Sequence, residues 1–180
     1  MQRKMLWLAM VIAGVAGGSI SAAEPPGGQK QPPKLRVGTY DSRALAVVYC
    51  RTPEFNAKIR KLMDEQKKAK TAGDAEKVKH IEAEGRAQQA RLHEQGFSGA
   101  PVDDILATIK TKLPGIAKEA GVDVIVSKWQ IAYQAPEAEL LDVTGLVIKA
   151  FNPDEKAMRI VKDLMSKPLI PVEEVRKHKH

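Results

Sequence analysis

The sequence contains one cysteine, Cys50, so no disulfide can close within the chain. Aromatic side chains make up only 4% of the 180 residues, which leaves a core to be built from aliphatic groups. No Gly-rich loop is followed by Lys and then Ser or Thr, and a P-loop nucleotide site is therefore missing. Nucleophilic constellations are missing too. His80 and His93 stand on a polar stretch with no Cys or suitably placed Ser, and read as solvated surface histidines. Asp103-Asp104 read as acids at a helix start, not as a catalytic pair, and His178-Lys179-His180 as a frayed tail instead of a metal site. Neither an enzyme nor a bound cofactor or metal is expected. Cys50, flanked by Val47, Val48 and Tyr49, reads as a small buried hydrophobe.

Long hydrophobic runs are also scarce, and the one present is diagnostic. Gln2-Arg3-Lys4 precedes twelve apolar residues (5–16), and small residues follow at Ser21-Ala22-Ala23. This is secretory signal architecture over residues 1–23, with cleavage before Glu24, and the run is too short for a stable span. Residues 24–34 are rich in Pro and Gly and read as a disordered linker. The net charge of +7 favours acidic partners, and loss of Arg3 and Lys4 would leave +5. That bias is too mild for a nucleic-acid footprint, although it is compatible with peripheral contact with an anionic membrane.

Folded structure is expected from Leu35. Residues 35–40 alternate apolar and polar groups as a strand, and Asp41 or Ser42 caps a short helix through Cys50. Thr52 then caps a helix with Pro53 in its first turn. Residues 53–96 are the most unusual stretch. Between positions 54 and 95 only Phe55, Ile59, Leu62, Met63, Val78, Ile81 and Leu92 are large and apolar; most of the rest are strong helix formers. Phe55, Ile59, Leu62, Gln66 and Ala69 form one heptad seam, and Val78, Ile81, Gly85, Gln88 and Leu92 a second. Folding back at Gly73 would face Ala69 with Val78, Gln66 with Ile81, Leu62 with Gly85 and Phe55 with Leu92. The result is a helical hairpin arm with a thin seam, about 30 Å long per helix.

The chain rejoins its body at Gly96. One amphipathic helix is expected over residues 102–120 with a kink at Pro114, followed by a strand over 122–126. Ile131-Ala132-Tyr133 reads as a second strand joined to it through residues 127–130. Asp142 or Thr144 caps a helix through Phe151, and Asn152-Pro153-Asp154-Glu155 starts another. From Lys167 onward the basic tail shows no periodicity and is expected to be mobile. The fold class is α+β: a small body of three short strands, whose edges oligomerisation would close, carrying the inserted arm.

The order of elements and several short motifs resemble the Skp/OmpH family of periplasmic chaperones. The carrying residues are Asp123, Val124 and Val126 in the returning strand, Tyr133 in the expected hairpin strand, and Asp142-Val143-Thr144 opening the helix with Val147. The resemblance spans residues 35–151, good at the body ends and compositional in the arm; residues 152–180 extend past the family's usual end. It implies a periplasmic homotrimer in which strands of three subunits form a body. Helical arms then enclose a cavity that holds unfolded outer-membrane proteins without ATP. On that reading the client-binding residues are Phe55, Lys58, Ile59, Arg60, Lys61, Met63, Lys67, Lys68 and Lys70. The six basic groups among them read equally as a plain solvated helix face. Charge over the arm is nearly balanced: six basic against three acidic residues over 54–72, four against five over 74–95. The rival reading is a structural envelope spacer or adaptor whose arm docks on a fixed partner.

Overall fold

The computed structural model describes residues 34–177, so the expected signal peptide, nearly all of the expected linker and His178-Lys179-His180 lie outside the described residues. Three strands form one sheet: β1 (Val37–Tyr40), β2 (Val124–Ser127) and β3 (Leu140–Asp142). The order is β2-β1-β3 and both pairings are parallel, with Val37 opposite Val124 and Leu140. β1 is therefore the central strand, covered on both faces. Gly38 fits this crowding, because a Cβ there would lie 3.1 Å from methyl carbons of both Val122 and Val143.

Helix α1 (Ser42–Tyr49) is the core element, capped by the Asp41 carboxylate, which accepts from the Arg43 amide. Leu45, Ala44, Ala46 and Val48 are almost completely buried. The helix packs on α7 (Glu155–Met165), on α6 (Thr144–Lys149) and on the base of the arm. The arm itself is α2 (Pro53–Thr71) and α3 (Ala75–Phe97). Thr52 Oγ accepts from the Phe55 amide and starts α2. Gly73, at φ 71°, ends it: the Asp74 amide donates to Ala69 O and the Gly73 amide to Lys70 O, a Schellman closure. Between the arm and β2 come α4 (Asp103–Thr108) and α5 (Leu113–Ala120).

The α+β class, the central helix pair of the arm and the first two strands match expectation. Four details differ. The third strand is β3, not residues 131–133: Ser127 Oγ accepts from the Trp129 amide and turns the chain off the sheet in a 3-10 turn, Lys128–Gln130. Tyr133 is left 80% exposed. The expected helix over 102–120 is broken, not kinked, because Pro114 opens α5 and residues 109–112 form a turn, with Lys112 Nζ donating to Ala150 O at 2.6 Å. The last long helix is capped by Asp154 instead of Asn152, whose φ is 51°. Finally, the segment after Lys167 is ordered: it crosses the body and ends in α8 (Val172–Lys177) against α3.

Candidate functional site

Two regions concentrate the chemistry, the arm and the place where its base meets the body. Beyond Ile59 on α2 the side-chain bonds stay within the arm. Gln66 Nε2 donates to Glu82 Oε1 at 3.0 Å, and Lys70 lies 3.7 Å from the same carboxylate. Lys61 stands 4.0 Å from Glu65. Ala69 and Ile81 are buried in the seam, Leu62, Gln66 and Val78 half-buried. Little else locks the outer arm.

The expected client-binding residues fall into three groups. Phe55 is corrected: it is 8% exposed and packs edge-on against Tyr49 at 5.2 Å, with Tyr49 in turn 6.3 Å from Phe151. It anchors the arm to the body and is not offered to a ligand. Ile59 is half-buried and faces the arm base. Met63 is 64% exposed, and Lys58, Arg60, Lys61, Lys67, Lys68 and Lys70 are all exposed. At about 100° per residue, Ile59, Met63, Lys67 and Lys70 share one flank of α2 with Arg60, while Lys58, Lys61 and Lys68 lie on the other. The basic groups do not form one patch.

At the base, α1, α2, α3, α7 and the segment after Lys167 enclose a groove of about 810 Å³. Its walls are mainly apolar, including Val47, Cys50, Ile59, Leu92, Leu164 and Pro168. Burial pushes the Cys50 thiol above its ordinary pKa, and Sγ donates to Val47 O at 3.3 Å. His93 sits on the rim, edge-on to Phe97 at 5.9 Å. Gln95 is buried and clamps the arm's exit, donating to Pro101 O and to Asp104 Oδ1.

A charged hub just past the C-terminal edge of β1 holds these pieces together. Asp41 is fully buried and accepts from the Arg43 amide, Nε and Nη2, from Lys128 Nζ at 2.8 Å and from Trp129 Nε1 at 3.1 Å. Burial alone would raise its carboxyl pKa; the donors on Arg43, Lys128 and Trp129 outweigh this and hold it below the ordinary value. Arg43 and Lys128 both lie over the Trp129 ring. Arg43 also donates from Nη1 to Lys167 O and Pro168 O, which pins the segment that closes the groove. That segment continues with the Ile170 amide donating to Phe97 O, Val175 buried, and Arg176 Nε 2.7 Å from Glu94.

Sequence reasoning took Asp41 only as a cap and missed this closing segment, residues 167–177, which forms a strap across the groove. A signal for the strap was present: Pro171, then Glu173 and Glu174, then Arg176 and Lys177, with Val172 and Val175 three apart, is the pattern of a short capped helix. Among the described residues no group of three His, Cys, Asp or Glu side chains is placed to hold a metal. Compared with family models, curated proteins and solved structures, the chain matches none.

Proposed function

We propose that this protein is an exported, ATP-independent holdase for unfolded envelope or outer-membrane proteins, acting in the periplasm as the Skp/OmpH resemblance implies. The observation that carries the reading is the outer arm. A helical hairpin with a thin seam exposes Met63 among Lys and Arg side chains, so it can bend and make many weak contacts. The sheet adds support: the outer edges of β2 and β3 have no partner strand among the described residues, and Val124 is 42% exposed. Pairing those edges between subunits would close the body and gather several arms around one space.

The buried position of Phe55 narrows the client surface to Met63, Ile59 at the groove mouth, and the basic groups on the two flanks. The test replaces residues 62–84 by a short Gly-Ser turn, which leaves the arm base and its anchor in place. The holdase should then lose its suppression of aggregation of a denatured β-barrel protein while losing only the helical circular dichroism of the residues removed. A parent protein with no suppression to lose would overturn the proposal. Client capture should also slow between about 50 and about 500 mM salt, because steering between exposed charges is screened.

The structural adaptor remains the second reading, and one observation favours it. The arm base is braced by Gln95, by α8 and by the Arg176–Glu94 pair, which suits an arm held at a fixed angle to its body. An adaptor would never suppress aggregation, so the same assay separates the two.

A further inference from the structure

Apart from Ile59 at its mouth, the groove at the arm base is not used by the holdase reading, and it has a shape and charge of its own. Its volume, about 810 Å³, lies within the range of small-molecule sites. From Gly85 to Phe97, α3 provides one long wall, about 18 Å at 1.5 Å per residue. The facing walls, on α1 and α7, are lined by short apolar side chains such as Val47 and Leu164.

Charge on the lining is almost completely internally paired, with one exception. Arg43 is bound to Asp41, and Lys167 Nζ is bound to Asp163 at 2.6 Å. Arg51, just past the C-terminus of α1, is exposed; one of its nitrogens donates to Val47 O at 2.8 Å. No carboxylate among the described residues pairs with it. The strap crosses at Arg43, about 12 Å of helix away from Arg51.

A long apolar channel with one uncompensated cation fits a single-chain amphiphile with an anionic head. An extended peptide fits less well, since the walls are helices and offer no strand edge to its backbone groups. We propose that the groove binds a free fatty acid, its carboxylate on the Arg51 guanidinium and its chain along α3 toward the strap. The site shares Ile59 with the proposed client surface but otherwise lies at the arm base, and it does not depend on the holdase reading.

The probe is a fluorescent fatty acid, dansyl-undecanoate, titrated into the purified full-length chain in detergent-free buffer and displaced with palmitate. Saturable binding is expected. Cys50 is the chain's only cysteine and lines the groove, so its reaction with a thiol reagent should slow several-fold on saturation. Arg51→Glu should weaken palmitate about tenfold and leave methyl palmitate unchanged. Gln89→Trp, an exposed position on the groove wall, should weaken both, with circular dichroism confirming that each variant is folded. Absence of saturable binding would overturn the proposal. So would binding that leaves Cys50 unprotected, binding indifferent to Arg51→Glu, or displacement by an apolar peptide as readily as by palmitate.

Discussion

Asp41 is buried beside two cations, and the physical weight of that arrangement falls on what happens when one member is removed. Five donors compensate its desolvation, so the intact hub is neutral to mildly favourable. Asp41→Ala strands Arg43 and Lys128 beside the Trp129 ring, and should cost about 3–5 kcal/mol in urea unfolding. The pH dependence has a definite sign. A carboxyl held below its ordinary value stabilises the fold fully above the unfolded value, near about pH 4. That stability is lost as pH falls through the lower folded value. The stability gap between wild type and Asp41→Asn should therefore close in acid and be widest at neutral pH; a gap independent of pH would deny the hub its charge. Only the capping half of this residue's role was legible in the sequence. Lys128 and Trp129 are brought to it across a separation of 87 and 88 positions, and no local pattern encodes that meeting.

Among the elements, the arm was the most legible. Its turn at Gly73, its cap at Thr52 and the buried seam positions Ala69 and Ile81 follow from helical periodicity and capping chemistry, which act over a few residues. The elements that escaped are those set by distant partners. β3 is three residues long and is a strand because β1 offers it an edge. The break at 109–112 follows from Pro114 opening a helix, a role that the amphipathic stripe through Val102, Ile105 and Ile109 concealed. The thin seam leads to a prediction at this scale. Ile81→Ala should cost about 2 kcal/mol locally, at the low end for an aliphatic truncation because the site can collapse. Hydrogen exchange should accelerate over residues 62–84 and not in α1 or β1; equal acceleration everywhere would mean that the arm does not open on its own.

For the whole molecule, the C-terminal strap ties the hub, through Arg43, to the last turn of α3 at the arm base, through Phe97 and Glu94. Truncation after Ser166 should lower Tm and speed the reaction of Cys50 with thiol reagents, since Lys167, Pro168 and Ile170 close one side of its groove. An unchanged Cys50 rate would show that the strap does not control access. The sheet has a consequence for how such a chain reaches its folded state. β1 is threaded first, yet its two partners lie 87 and 103 positions downstream, as the register Val37 with Val124 and Leu140 requires. Closing such long loops costs only modestly more entropy than closing shorter ones, but the rate suffers, because the reward comes after the loop has closed. The hairpin arm and α1 can form from local contacts while both edges of β1 wait. Until both partners arrive, the backbone groups on the two edges of β1 stay open to pairing with other chains.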